Sequence, residues 1–339
     1  MKTDEVEKDE KHFNSWQQKL YNEFILVAGE HGLETGNTGS GKTTLMYWLV
    51  DGFLKARTQL PPEKWETICW FDRGKSSEIL QLVKMAPVRL LIPESCDVDI
   101  TFFEQEEEIL HYDIEKKYFQ DPKEVWDLLD RDHINVLCLQ RFILHPSLVA
   151  PITAKLFEAL IIKAMNYDLK PSGYPSMKGK NPRIALFLDE LNNIAPSRGQ
   201  GFSGDQHAGA ILQHNSEQLR SQNVRLVASS HGWRKLRPGI RSSFQFLISL
   251  RGANYPSSEQ PKLYRFNRLF EKLEPGQAII AFPTKTFTDK IKIPWYGKGE
   301  DIGYVRYIGH LKPETREPRK TSITLEDLVT ALKAVAPQN

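Results

Sequence analysis

The 339-residue chain is poor in cysteine, in net charge and in long apolar runs, and each shortage removes a class of protein. Its three cysteines, Cys69, Cys96 and Cys138, lie far apart, too few for a disulfide scaffold and without the spacing of a metal site. Cys69 and Cys138 fall in apolar runs, so reduced core thiols and a cytoplasmic location are expected. The formal net charge is +2, from 45 Lys+Arg against 43 Asp+Glu. That balance gives no overall pull toward nucleic acid, so any such site must be a local patch. No stretch reaches the roughly 20 apolar residues of a membrane helix, and the acidic, polar start from Met1 to Glu10 has no signal-peptide pattern. No internal repeat is visible. His207, His214 and His231 share no metal-ligand spacing.

What is present is an alternation of short apolar runs with helical patterns. The segment 15–29 is expected to hold a short helix and a strand at Phe24-Ile25-Leu26-Val27. Further strands are expected at 68–71, 88–92, 134–139, 183–188, 224–230, 244–250 and 278–282. Helices are expected after residue 41 to about Lys55, over 148–165 and over 211–222. The acidic stretch 97–108 reads as an edge insertion, and 170–182 and 197–209 as Gly-rich loops. Strands alternating with helices imply an α/β fold with a mostly parallel sheet flanked by helices. The expected division is an N-terminal extension (1–22), a main domain (23–311), and a Pro- and charge-rich tether with a small terminal helix (312–339).

Residues 36–43 read Gly36-Asn37-Thr38-Gly39-Ser40-Gly41-Lys42-Thr43, the phosphate-loop pattern G-x-x-x-x-G-K-S/T. Its glycines let successive backbone N–H groups turn toward phosphate oxygens. Lys42 can reach the β- and γ-phosphates and Thr43 can hold Mg²⁺, while the helix that opens at Thr44 aims its positive end at the anion. ATP is thus the expected ligand, cradled by Gly36, Asn37, Thr38, Gly39, Ser40, Gly41, Lys42, Thr43 and Thr44. Downstream, Arg183-Ile184-Ala185-Leu186-Phe187-Leu188-Asp189-Glu190 reads as a doubly buried strand ending in two acids. Asp189 is placed at the carboxyl edge of the sheet, where such folds bind ligands, and can order Mg²⁺. Glu190 can then polarise an attacking water. A second acid beside the aspartate favours hydrolysis over simple binding.

Four further segments carry a resemblance to the HerA/FtsK superfamily of DNA-pumping phosphate-loop ATPases, over roughly residues 24–296. Phe71-Asp72-Arg73-Gly74-Lys75-Ser76 resembles a strand-end segment of those families. Ser229-Ser230-His231 stands where they usually carry Thr-Gln, so His231 takes the place of the polar sensor of the γ-phosphate. Arg237-Pro238-Gly239-Ile240-Arg241-Ser242-Ser243-Phe244 resembles the segment leading to a late strand, which here ends in Leu250-Arg251, and Leu273-Glu274-Pro275-Gly276-Gln277-Ala278 resembles a late hairpin. The resemblance implies a RecA-like ATPase that hydrolyses MgATP in a ring, expected to be hexameric, and moves DNA, expected to be double-stranded and read without regard to sequence. Partner proteins of a packaging or conjugation apparatus go with that reading.

In such a ring Arg251 or Arg241 is expected to reach a neighbour's nucleotide. Arg251, after its strand, is expected at a sheet edge and away from its own phosphate loop. Trp233, Arg234, Lys235 and Arg237 form a basic-aromatic cluster able to grip a phosphate backbone. The loops at 178–180 and 197–201 are candidates to line a pore. Two other readings stay open: a protein-directed secretion ATPase of the same fold, and a nucleotide-gated assembly protein without motor activity.

Overall fold

Runs rich in Val, Ile, Leu and Phe with no polar alternation suit strands covered on both faces, and the chain builds one large sheet from most of them. The computed structural model describes residues 16–72, 77–94, 96–103, 112–139, 146–168, 183–284 and 286–308. Its strands are β1 (Gly32–Thr35), β2 (Thr67–Asp72), β3 (Val88–Pro93), β4 (Asp97–Phe102), β5 (Ile114–Phe119), β6 (Ile134–Cys138), β7 (Ile184–Leu188), β8 (Val224–Ser230), β9 (Phe246–Leu250), β10 (Gln277–Ala281), β11 (Ile291–Lys292) and β12 (Gly303–Ile308). Ten of them form one sheet in the order β11-β10-β9-β1-β8-β7-β2-β6-β3-β5. From β9 to β5 every pairing is parallel, and β10 and β11 add an antiparallel edge. This is the mostly parallel α/β sheet of a phosphate-loop fold, as the sequence implied.

The longer helices are α1 (Lys42–Ala56), α2 (Pro146–Asp168) and α3 (Ser203–Ser221), with the short α4 (Pro238–Ser242) leading into β9. One face of the sheet packs on α1 through Leu45, Met46, Leu49, Val50 and Phe53. The other packs on α2 and α3 through Leu156, Phe157, Leu160, Leu212 and Leu219. Each of these side chains is nearly free of solvent, and full burial of one contributes about 1.5–3 kcal/mol. The three cysteines are buried free thiols; burial pushes the Cys69 thiol up to about 12.

Four local expectations need correction. The strand placed at 24–27 is a π-helical turn, Tyr21–Ile25. Phe24 and Ile25 are apolar because they plug the sheet: Phe24 lies 4.7 Å from the Phe246 ring and under the Arg225 guanidinium at 4.6 Å. The strand feeding the phosphate loop is β1. Helix α3 begins at Ser203, eight residues before the expected 211. Strand β5 was not expected at all; it is the sheet edge, and its Ile-Glu-Lys-Lys-Tyr-Phe has no apolar run. The acidic stretch contributes β4, which pairs antiparallel with β12 as a separate two-stranded ribbon. Residues 16–25 pack on the core, with the Trp16 ring tilted against Trp48 of α1 at 5.3 Å. Arg73, Gly74, Lys75 and Ser76, the 178–180 loop, and the expected tether and terminal helix of 312–339 lie outside the described residues.

Candidate nucleotide site

The site forms where β1 ends between β8 and β9. Thr35 lies beside Ser230 on one side and Ser249 on the other. The loop that follows hangs from both neighbours: Gly36 N donates to Ser230 O at 3.3 Å, and Asn37 N to Arg251 O at 2.9 Å. It turns back through Ser40 N to Asn37 O at 3.2 Å, and Gly276 N clips Ser40 O at 3.0 Å. Two glycines are forced. Gly41 caps α1 in the left-handed region (φ 102°). A Cβ on Gly36 would stand 2.6 Å from Ser40 Oγ. Asn37, Thr38 and Gly39 form the exposed rim, whereas Ser40 is fully buried and its hydroxyl has no partner among the described residues.

Lys42 is 6% exposed. Its Nζ donates to Gly36 O and Asn37 O at 3.0 Å each, and stands 3.4 Å from His231 Nδ1. The loop's carbonyls thus hold the ammonium where a phosphate oxygen would take it over. Thr43 Oγ1 donates to Asp189 Oδ2 at 3.3 Å. Thr44 belongs to the buried first turn of α1. Asp189 directly follows the carboxyl end of β7; its other oxygen accepts from Ser229 Oγ and, at 3.0 Å, from Glu190 N.

Glu190 has φ 54°, ψ 51°. Only it and Asn223 among described non-glycine residues have positive φ, a conformation that costs on the order of 1–3 kcal/mol and collects at functional sites. Its backbone N–H also reaches Ser229 Oγ at 2.9 Å. Its carboxylate is held at both oxygens: His231 Nε2 at 3.1 Å on Oε1, and Asn193 Nδ2 at 2.7 Å on Oε2. An ammonium can only donate, so His231 accepts at Nδ1 and donates from Nε2, a single neutral tautomer that satisfies both contacts. Asn192 fixes that histidine by accepting from His231 N at 3.1 Å. Lys42, His231 and Glu190 therefore form one hydrogen-bonded line from phosphate loop to acid.

Glu34 is one residue that sequence reading missed. It lies on β1 opposite Ser229, and strand alternation turns it away from Leu33 and toward the α1 face. It is 1% exposed and neither carboxyl oxygen has a hydrogen-bond partner among the described residues. Burial, reinforced by the nearby Asp189 charge and opposed by Lys42, pushes its carboxyl well above the usual range. Its only signal in the sequence is an acid in the strand that leads into the phosphate loop. Ser229, Asn192 and Asn193 were missed as partners of the acidic pair.

The arginines divide differently from expectation. Arg251 is not at a sheet edge: β9 is interior, between β1 and β10, and the Arg251 carbonyl anchors its own phosphate loop. The strand order brings together two segments more than 200 residues apart. Arg241 is 6% exposed, with Nη2 3.1 Å from Glu259 Oε1 and its guanidinium 5.8 Å over the Trp233 ring. The basic-aromatic cluster also splits. Trp233 and Arg237 are buried, and Arg237 Nη2 donates to Gln206 O at 2.7 Å, whereas Arg234 and Lys235 are exposed.

Fold and site together define a phosphate-loop nucleotide-binding protein. No protein-family model and no curated protein matches the chain. Solved structures with similarity include the genome packaging NTPase B204 from Sulfolobus turreted icosahedral virus 2 bound to ATP-gammaS, at 12% identity and TM-score 0.44, covering 79% of this chain and 100% of that one. The cytoplasmic domain of the type VII secretion ATPase EccC from Thermomonospora curvata is similar at 17% identity and TM-score 0.42, over 78% of this chain and 25% of that one. EssC (ATPases 2 and 3) from Geobacillus thermodenitrificans is similar at 15% identity and TM-score 0.40, over 78% and 40%. Identities this low leave substrate and partner unassigned. Among the described residues no helix is long and apolar enough to cross a membrane.

Proposed function

We propose that the chain is an ATPase of the HerA/FtsK type that hydrolyses MgATP in an oligomeric ring, a hexamer, and moves DNA. The observation that carries the hydrolytic reading is the line Lys42–His231–Glu190 beside the Thr43–Asp189 pair. The donor set suits MgATP: an orphaned Ser40 hydroxyl inside the cradle, a glycine turn that a Cβ would fill, and a hydroxyl paired with a carboxylate. Thr43 and Asp189 would hold Mg²⁺, which when bound neutralises charge on the β- and γ-phosphates.

Lys42 exchanges the Gly36 and Asn37 carbonyls for phosphate oxygens, a charge-assisted contact about twice as strong as a neutral one. As Lys42 moves, His231 loses its acceptor role toward it and is freed to rearrange. Through His231 Nε2 the change reaches Glu190, which releases an oxygen to accept a proton from water. Water oxygen bonds to the γ-phosphorus, the bridging P–O bond breaks, and ADP and phosphate leave. His231 thereby acts as sensor in the position of the usual glutamine. Arg251, beside its own phosphate loop and with no side-chain partner among the described residues, is the candidate to steady transferred charge, in its own subunit or across a boundary.

The test is ATP turnover with and without double-stranded DNA, read beside native mass. Stimulated turnover by a ring supports the motor. Turnover that ignores DNA contradicts DNA translocation and favours a protein-directed ATPase. Slow turnover with nucleotide-dependent assembly favours a gated assembly protein.

A further inference from the structure

A second concave site lies beyond the sensor histidine and takes no part in that chemistry. It is a cleft of about 680 Å³ lined by Ser197, Arg198, Gln213, Arg234, Arg241 and Glu259, with Leu236 and Pro238 also on its wall. Its walls are fixed: Ser197 N donates to Lys235 O at 2.9 Å, and Pro196 bridges to Leu236. Gly239 lets α4 press on Gln213, since a Cβ there would stand 2.4 Å from Gln213 Cγ.

Three guanidinium groups line this cleft against one carboxylate. Glu259 is already engaged, by Arg241 at 3.1 Å and by Trp233 Nε1 at 2.8 Å. Arg198 and Arg234 are exposed and have no ion pair among the described residues. Two of the lining residues carry buried polar atoms with no hydrogen-bond partner among the described residues, Arg241 Nε and Gln213 Oε1. Burial holds the Arg241 guanidinium below its ordinary range; Glu259 pulls it back and the Arg234 charge lowers it further. Crowding cations in this way, in a chain of net charge +2, is a standing repulsion that an anion would relieve.

We propose that the cleft binds the phosphates of a nucleic-acid strand. Guanidinium forks match phosphate oxygens two at a time. The volume lies within the range of about 300–1,000 Å³ for ligand sites and far exceeds a lone phosphate. Trp233, which donates its N–H to the lining Glu259, is 2% exposed and so offers no face for a base to stack on. Contact is therefore with backbone only and independent of sequence. This inference rests on the reading that the chain handles DNA, and it replaces the four-residue basic cluster with Arg198, Arg234 and Arg241 as the contact group.

The test uses the full chain and a fluorescently labelled 20-nucleotide DNA, single- and double-stranded, across a salt series. Arg198→Glu/Arg234→Glu changes two exposed residues and leaves the buried Arg241 alone, so folding is preserved. A Lys84→Glu/Lys123→Glu variant, exposed and elsewhere on the surface, carries the same charge change as control. Expected is an affinity loss of at least tenfold for the first variant and under twofold for the control, with binding of a labelled ATP analogue unchanged. The slope of log affinity on log salt should shrink by about 1.4–1.8, for two lost phosphate contacts. Equal losses in both variants, or none, overturn the cleft while leaving DNA binding standing. A wild type that binds no DNA overturns the DNA reading itself and the cleft with it. The cleft also falls if it serves free nucleotide: in a Lys42→Ala background, charge reversal would then abolish analogue binding and spare DNA.

Discussion

Replacing Glu34 by leucine should stabilise the protein and remove a pH dependence from it. Both carboxyl oxygens are buried and without a partner among the described residues; a buried polar group left unpaired costs about 1–3 kcal/mol. Leucine removes that penalty even where Glu34 is neutral. The sign of the pH effect follows from linkage. The folded carboxyl is raised above its unfolded value, near 4.3, so the folded state keeps a proton that the unfolded state gives up. Glu34's contribution is then constant below about pH 4.3 and declines as pH rises toward the folded value. Through that window the difference in stability between Glu34→Leu and wild type should widen by about 1.4 kcal/mol per pH unit. For a chain of this size that is about 2 °C per pH unit in melting temperature. The assay is thermal melting of both proteins from pH 5 to 8, reading the difference so that other groups cancel. His31 shows why the difference is needed. Burial, opposed by its bond to Ser216 O and helped by the Arg225 charge, holds it down at about 4. Its stabilisation is lost as pH falls from about 6.5 toward that value, opposite in sign to Glu34. A melting difference that is flat with pH would refute the buried, proton-holding Glu34.

Lys42→Ala should abolish hydrolysis and weaken ATP binding by at least tenfold in a calorimetric titration, because the buried ammonium is the loop's only cation. Arg225→Met should cost about 3–5 kcal/mol in denaturant melts, since it strands Glu66: Nη2 lies 3.0 Å from Glu66 Oε2, with side chains 0% and 5% exposed. Arg225→Met/Glu66→Met should recover most of that loss. Arg251→Ala should bind ATP normally and turn over at least a hundredfold more slowly; restored activity on mixing with Glu190→Gln subunits would put its action across a boundary, and no restoration would keep it within its own subunit.

The phosphate loop and the Asp189–Glu190 strand end were legible because their chemistry is local: glycine geometry, one lysine, and acids ending an apolar run. Buried strands were legible for the same reason, as in β7 and β8. What was hidden depends on neighbours distant in sequence. Strand β1 has four residues, two of them Glu34 and Thr35, so apolar content pointed instead to Phe24–Val27. Helix α3 starts at a Gly-rich stretch because Gly204 lies against α2, where a Cβ would stand 2.4 Å from the Ala150 backbone. Glycine there answers a helix crossing and not a loop. Arg251 was misplaced because strand order, and so its seat beside residue 37, is set by the sheet and not by the chain. Trp233 and Arg237 looked like surface chemistry and are packing.

The central claim, hydrolysis of ATP with Glu190 as proton acceptor, is tested most directly by phosphate release from Glu190→Gln beside wild type, each at saturating MgATP. The amide keeps size and removes the acceptor. The account predicts turnover at least a hundredfold lower with ATP affinity within threefold of wild type. Turnover near the wild-type rate in the folded variant would contradict it.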